Sequence, residues 1–196
     1  MDKNQTRMID AWFAENEDGE FVSHMAAVPY SVIGPTTDGG RLIFTTKPHV
    51  VAAIVEEEAS GELGMIGRYG LPSHADLNWI SELVGSRELL FLGDMDPVDL
   101  MVFAWLRAGL YPKSVAHFGV NDSLLGAFEI TSTETLSIPF APSEQRSVAL
   151  LKEVFPDFGK TVGRSCTHML ERRQKIELEA VAKDRTKVIA ALQSLE

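Results

Sequence analysis

The chain is nearly free of cysteine, with Cys166 as the single example among 196 residues. One thiol excludes an internal disulfide framework and a zinc site built from cysteines. Cys166 stands in the segment RSCTHML without a neighbouring base, so we interpret it as an inert, partly buried thiol. The sequence also lacks any run of 18 apolar residues, and its first residues lack the apolar segment and cleavage site of a signal peptide. These absences predict a cytoplasmic protein without a membrane span.

Positive charge is also scarce. The chain has 18 Lys and Arg against 28 Asp and Glu, a formal net charge of −10 at pH 7. Such a chain repels a polyanion at long range, which argues against a protein that coats nucleic acid. Residues 164–187 are the exception, because seven basic residues there face only four acidic ones. Any nucleic-acid contact is therefore expected to be weak and local, through Arg172, Arg173 and Lys175.

Short apolar stretches alternate regularly with amphipathic stretches of about a dozen residues. The strands are predicted at 41–46, 63–68, 88–93 and 113–119, and the helices between them at 48–60, 72–85 and 97–109. Strands separated by helices form right-handed crossovers and a parallel sheet that is covered on both faces. The sequence therefore predicts an α/β, Rossmann-like fold with a mainly parallel four-stranded sheet and helices on both faces.

The segments on either side are predicted to extend a core formed by residues 41–141. Residues 1–40 are expected to add a helix, over 4–14, and a strand at one edge of the sheet. Residues 142–196 are expected to form C-terminal helices packed on the core. The chain from Gly163 onward is predicted to be helical to its end.

The last predicted helix carries apolar residues at three- and seven-residue steps, namely Val181, Val188, Leu192 and Leu195. This spacing is typical of one apolar helix face. We expect that face to pack on its own domain, and a protein partner or a second copy of the chain is the alternative.

Ligands of open α/β sheets bind beyond the carboxyl ends of the strands. The stretches FTTKP and LGDMDP both follow predicted strands. In the second, Asp96 is predicted to cap the helix that begins at Pro97, with Asp99 near the positive helix end. Helix capping therefore explains Asp96 without any function.

Asp94 has no such local explanation. Residues two apart in an extended segment face the same side, so Asp94 and Asp96 should converge. Two like charges at this separation need a cation or a cationic side chain between them. Carboxylate oxygens suit Mg²⁺, whereas a salt bridge to Arg68, at the end of the second strand, would weaken the case for a metal. The sequence leaves both alternatives open.

Four segments, found in the same order, resemble Toprim domains. LLFLGDMDPVDLMVFAWLR resembles their acidic strand, turn and helix, most closely in type IIB topoisomerase A subunits and in the related nuclease subunit of Wadjet-type plasmid-defence systems. The other three segments are GRYGLPSHADLNWISEL, YPKSVAHFGVNDSLL and HMLERRQKIELEAV, the last being similar to a C-terminal helix with a lysine and spaced glutamates. The resemblance implies a stand-alone Toprim-like fold in which Asp94 and Asp96 are the catalytic, Mg²⁺-binding residues.

The chain departs from that pattern at the end of its first core strand. Toprim domains carry a glutamate there, followed in this branch by a lysine; the lysine is matched by Lys47, but the glutamate position is Thr46. A threonine is no general acid or base near neutral pH, and we expect it to cap the helix beginning at Pro48. His49 lies one residue after Pro48 and is expected at the mouth of the site formed by Asp94, beyond the carboxyl ends of the strands. The N-terminal 40 residues are also too few for the winged-helix domain that carries the topoisomerase tyrosine.

Three functional hypotheses follow. The first is an Mg²⁺-dependent phosphodiester hydrolase acting on nucleic acid. The second is a degenerate Toprim-like module that holds a divalent metal, a nucleotide or a protein partner in a DNA-processing or defence system. The third is an unrelated α/β domain in which DMDP only begins a helix. The missing glutamate and the negative net charge favour the second over the first.

Overall fold

The structure, a computed structural model, describes residues 4–9, 30–37, 39–130, 133 and 135–194. The first described element is a helix, α1, over residues 4–9, and its Ile9 is fully buried. The remainder of the helix predicted over 4–14 lies outside the described residues. So does most of the predicted N-terminal edge segment before Tyr30.

Five strands form the main sheet, namely β1 (Ser31–Ile33), β2 (Arg41–Thr45), β3 (Leu63–Gly67), β4 (Leu89–Phe91) and β5 (Val115–His117). Their spatial order is β1-β3-β2-β4-β5. The last four are mutually parallel, and β1 pairs antiparallel with β3 at one edge. The α/β class and the mainly parallel sheet are thus confirmed, with β1 as an additional edge strand.

The helices that connect these strands are α2 (Pro48–Glu57), α3 (His74–Val84) and α4 (Pro97–Gly109), and α5 (Asp122–Ala127) follows β5. Local capping signals set where they begin. At α3, the Ser73 hydroxyl accepts the Asp76 N–H while the Asp76 carboxylate accepts the Ser73 N–H. This reciprocal pair satisfies two backbone donors at the helix start.

The sheet reverses its strand order at β2. The chain moves from β2 to β3 in one direction, and then from β3 to β4 and β5 in the other. Right-handed crossovers in opposite directions place α2 on one face of the sheet and α3 and α4 on the other. Consistent with this, α3 contacts α4, whereas the C-terminal helix α10 (Arg185–Gln193) contacts α2.

The C-terminal part contains a 3₁₀ turn (Pro142–Arg146), α6 (Ser147–Val154), α7 (Phe158–Val162), α8 (Arg164–Glu171), α9 (Leu178–Val181) and α10. The prediction of one continuous helix from Gly163 is wrong. After α8 the backbone takes a positive φ of 60° at Arg173 and enters β7 (Gln174–Lys175), which pairs with β6 (Ile138–Pro139). Pairing with a distant segment overrides the local preference for helix.

The apolar face predicted for the last helix is packed within the chain. Val181, Val188 and Leu192 are each no more than 5% exposed. Leu195 lies outside the described residues. The Arg41 guanidinium donates a hydrogen bond to the Leu192 carbonyl, which ties α10 to β2. A protein partner would therefore have to use another face of α10.

Candidate functional site

The carboxyl ends of β2 and β4 lie side by side where the strand order reverses. Open α/β sheets bind ligands at such a reversal, because the two connections leave in opposite directions and open a crevice. Thr46 and Lys47 follow β2 there, and Asp94 and Asp96 follow β4. The fold thus brings the stretches FTTKP and LGDMDP together at the carboxyl end of the sheet.

Asp94 is buried, with 3% of its surface exposed. Its Oδ1 accepts a hydrogen bond of 2.7 Å from the Leu178 backbone N–H, and its Oδ2 lies 2.9 Å from Lys47 Nζ. Burial, followed by the charge of Asp96, raises the pKa of Asp94 to about 7 against the opposing effect of Lys47. The ionised carboxylate therefore depends on a nearby positive charge.

Lys47, and not Arg68, supplies that charge. Arg68 instead pairs with Asp76, with 2.7 Å between Nη1 and Oδ2. The Lys47 ammonium also lies 3.1 Å from Glu179 Oε1. Burial lowers the pKa of Lys47, but Asp94 and Glu179 raise it by more, so the net pKa lies above the ordinary value. Lys47 is therefore a permanently charged counter-ion at the centre of the site.

Asp96 caps α4, as predicted. Its backbone is extended, its Oδ1 accepts the Asp99 N–H at 2.7 Å, and Pro97 occupies the first helical position. Burial raises the pKa of Asp96, while the Asp99 hydrogen bond and the charge of Lys175 lower it. Asp96 thus has a structural role and also adds negative charge beside Asp94.

Asp99 is a third buried carboxylate, whose place in the site the sequence did not reveal. Its Oδ2 accepts hydrogen bonds from the Thr46 hydroxyl at 2.6 Å and from the Asp94 N–H at 2.7 Å. Burial, then the charges of Asp96 and Asp94, raise the pKa of Asp99 well above its ordinary value. The sequence signal for Asp99 is its position three residues after a helix cap, and the positive end of the helix is enough to explain an acidic residue there.

The prediction that Thr46 caps α2 is wrong. Lys47 occupies the cap position without a side-chain cap, and its N–H is accepted by Thr45 Oγ1 at 2.9 Å. Thr46 is 6% exposed and directs its hydroxyl to Asp99. The buried Asp99 oxygen needs hydrogen-bond donors, and the Thr46 hydroxyl supplies one of them.

Gly93 gives Asp99 the room to reach this position. A Cβ atom at residue 93 would lie 2.5 Å from Asp99 Oδ2 and 2.9 Å from the Phe91 ring. Both distances are shorter than van der Waals contact. A side chain at this position would therefore push Asp99 away from the Asp94 backbone.

A row of titratable side chains lines the outer side of the site. His49 Nδ1 lies 2.8 Å from the Tyr69 hydroxyl, and His49 Nε2 lies 3.7 Å from Glu179 Oε1. Glu179 Oε2 is buried and has no hydrogen-bond partner among the described residues. His49 was predicted at this mouth. Tyr69 and Glu179 were not, and the only signal for Glu179 was the similarity of its segment to one with spaced glutamates.

The chain from β7 to α9 closes one side of the site. Met95 and Ile176 exchange backbone hydrogen bonds of 2.9 and 3.4 Å, and the Leu178 N–H reaches Asp94. Lys175 lies on the same segment, 2.7 Å from Glu144 Oε1. The C-terminal segment is therefore part of the site and also limits access to the aspartates.

The donor atoms suit a hard cation in type, but few of them are free. Mg²⁺ prefers carboxylate oxygens and keeps several waters. Both oxygens of Asp94 are already engaged, by Lys47 and by the Leu178 N–H. Among the described residues, no three His, Cys, Asp or Glu side chains are grouped so as to hold a metal ion. An ion at Asp94 and Asp96 would therefore have to compete with the Lys47 ammonium.

His117 ends β5, next to β4, opposite Phe91. Its ring packs against Phe91 and Phe103, with centroids 5.8 and 5.1 Å apart. Both ring nitrogens are buried without a hydrogen-bond partner in the described part of the chain. Burial lowers the pKa of His117 to about 4, so the ring is neutral at physiological pH.

The three predicted nucleic-acid contacts have different surroundings. Arg172 and Arg173 are exposed at the turn between α8 and β7. The Lys175 side chain is only 12% exposed and is paired with Glu144. Lys175 is therefore engaged within the protein, whereas the two arginines are accessible.

A scan against models of known protein families finds no match for this chain, and a search of curated proteins finds none either. In the described ranges, no helix combines the length and the apolar character that crossing a membrane requires.

Proposed function

We propose that this chain is a catalytically degenerate Toprim-like module that acts by binding, as a subunit of a DNA-processing or defence system. The ligand that its carboxylates suit best is a divalent cation at Asp94 and Asp96. A nucleotide phosphate or a partner protein would be held around the same crevice. The α/β fold and the position of the two aspartates at the strand-order reversal support this proposal.

The proposed loss of catalytic activity is supported mainly by the hydrogen bond from Thr46 to Asp99. In the Toprim pattern a glutamate at the Thr46 position supplies a carboxylate from the neighbouring strand. Here that position holds a neutral hydroxyl, which has no useful pKa for proton transfer and is already donated to Asp99 at 2.6 Å. Thr46, which follows β2, therefore contributes neither an acid nor a base.

The binding of a cation is supported by the imbalance of charge. Asp94, Asp96 and Asp99 are all buried, and the cation in direct contact with this group is Lys47. Among the described residues, neither Asp96 nor Asp99 forms an ion pair with a cationic side chain, and burial raises the pKa of all three carboxyl groups. A divalent cation would favour their ionised forms, but its binding would be weakened by competition with Lys47.

A second candidate is an Mg²⁺-dependent phosphodiester hydrolase, and the hydrogen bond between His49 and Tyr69 favours it. Together with Glu179 these side chains offer groups that can exchange protons at the mouth of the site. The metal would polarise a phosphate and lower the pKa of a water molecule. Asp94 and Asp96 would hold that metal, while His49 would accept or donate the proton.

Isothermal titration calorimetry with Mg²⁺ tests the proposed binding. We expect wild type to bind weakly and Asp94→Asn to lose binding. Thr46→Glu adds a carboxylate beside Lys47 and should bind more tightly. Identical titrations for wild type and Asp94→Asn would show that the aspartates hold no cation and would reject the metal ligand.

A further inference from the structure

Three exposed arginines lie around the small β6–β7 sheet, namely Arg146, Arg172 and Arg173, and we call them the arginine surface. Arg146 ends the 3₁₀ turn, and the other two follow α8. The Arg173 guanidinium donates a hydrogen bond of 3.2 Å to Gln145 Oε1. Since Gln145 precedes Arg146 in the chain, this contact joins the two segments that carry the three arginines.

The acidic residues of this neighbourhood are neutralised by lysines. Glu144 pairs with Lys175 at 2.7 Å, and Glu171 pairs with Lys152 at 3.0 Å. No ion pair to Arg146, Arg172 or Arg173 is found among the described residues, and Gln145, which accepts the hydrogen bond from Arg173, is neutral. The arginine surface therefore carries an excess of positive charge within a chain of net charge −10.

The turn that carries Arg173 is held rigidly. Its φ of 60° lies in the left-handed region, which is unfavourable for a residue with a side chain. Two backbone hydrogen bonds maintain it, from the Arg173 N–H to the Leu170 carbonyl and from the Phe140 N–H to the Arg173 carbonyl, both of 3.0 Å. A guanidinium presented from a fixed turn loses less conformational freedom on binding than one on a mobile loop.

The arginine surface is connected to the carboxylate site by a short extended segment. β7 follows Arg173 directly, and the next residue, Ile176, exchanges backbone hydrogen bonds with Met95. Met95 lies between Asp94 and Asp96 in the sequence. A chain of phosphates bound to the arginines would therefore lie beside the segment that closes one side of the carboxylate site.

We propose that the arginine surface binds the phosphate backbone of duplex nucleic acid and so guides it to the carboxylate site. Guanidinium groups pair with phosphate oxygens through two parallel hydrogen bonds, which a lysine ammonium does not reproduce. Nucleic acid is preferred to an acidic protein because it offers a regular row of phosphates, an assignment that rests on the proposed function. Arg146 replaces Lys175 as the third contact, since Lys175 is engaged by Glu144.

Fluorescence anisotropy with a labelled 20-base-pair duplex, measured in EDTA, tests this assignment. Three phosphate contacts predict that raising the salt from 50 to 200 mM weakens wild-type binding about 40-fold. In Arg146→Ala/Arg172→Ala, which leaves the Arg173 turn intact, the same change of salt should weaken binding only about 3- to 4-fold. The control Lys183→Ala/Lys187→Ala removes two positive charges elsewhere and should behave as wild type.

Absence of wild-type binding, or an equal loss in the control variant, would overturn the assignment. So would displacement of the duplex by polyglutamate at equal charge concentration, because it would indicate an acidic polypeptide as the partner. Thermal melts of both double variants verify that they are folded. Since EDTA removes divalent cations, a failure here concerns the arginines and leaves the calorimetric test of Asp94 independent.

Discussion

Lys47 Nζ lies 2.9 Å from Asp94 Oδ2, and the two residues follow adjacent parallel strands. This contact places a fixed positive charge against the carboxylate that a metal would need. Asp94 is almost fully buried, and the Lys47 side chain is 20% exposed. Lys47 therefore acts as an internal counter-ion for the acidic site. The strength of its ion pair with Asp94 determines how much affinity the site retains for an external cation.

Replacing Lys47 by methionine should expose this role. The variant leaves Asp94 buried without its cation, and breaking one side of a buried pair costs about 3 kcal/mol. We expect a lower melting temperature in EDTA, and recovery of most of the loss in millimolar Mg²⁺, because a ligand of the folded state stabilises it. Lys187→Met, on the exposed side of α10, is the control. Unchanged melting of Lys47→Met in EDTA would mean that the pair contributes nothing.

Asp94→Asn should change how stability depends on pH. The pKa of Asp94 is about 7 in the folded protein and lower in the unfolded chain, so the folded state binds the proton more tightly. Its contribution to stability is fully present below the unfolded pKa and is lost as the pH rises through about 7. Lys47 keeps its ion pair with Glu179 in this variant, so we expect Asp94→Asn to melt at a higher temperature than wild type at pH 8, with a smaller difference at pH 5. Thermal melts in EDTA measure both, and a lower melting temperature at pH 8 would contradict the assignment.

Thr46→Val should destabilise the fold, whereas Thr46→Ser should not. Valine has nearly the same shape but removes the hydroxyl that donates to Asp99 at 2.6 Å. Removing one of the two hydrogen bonds to the buried Asp99 Oδ2 costs ~1 kcal/mol. Urea unfolding at pH 7 measures the difference. Equal stability of the valine and serine variants would show that the hydrogen bond is not significant.

His117→Phe should remove part of the acid sensitivity of the protein. The pKa of His117 is lowered to about 4, so below the unfolded pKa of 6.5 the unfolded state binds the proton more readily. Its contribution to stability is present above 6.5 and falls by about 2 kcal/mol between pH 8 and pH 5. The phenylalanine variant should lose less stability over this range than wild type, as measured by urea unfolding. The exposed His168→Phe should follow wild type, and matching curves for all three proteins would refute the role of burial.

Local signals in the sequence predicted the elements that local interactions determine. The helix predicted at 97–109 agrees with α4, because an aspartate cap and a proline at the first position fix where it begins. The alternation of apolar strands and helices was enough to predict the parallel sheet, because burial on both faces leaves that pattern.

Contacts between distant residues could not be predicted in this way. The helix expected after Gly163 is interrupted because β7 pairs with β6, a contact between segments more than 30 residues apart. Thr46 meets Asp99 across 53 positions and Lys47 meets Glu179 across 132. None of these pairs has a spacing that marks it in the sequence, since tertiary packing alone brings them together.

We propose that the acidic crevice binds its ligand without cleaving nucleic acid. A nicking assay on supercoiled plasmid tests this most directly. Purified wild-type protein is incubated with the plasmid in millimolar Mg²⁺ or Mn²⁺, beside Asp94→Asn and an EDTA control. Because Thr46 provides no acid or base, we expect wild type and Asp94→Asn to leave the plasmid equally intact. Metal-dependent nicking by wild type that disappears in Asp94→Asn would contradict the claim and establish the hydrolase in its place.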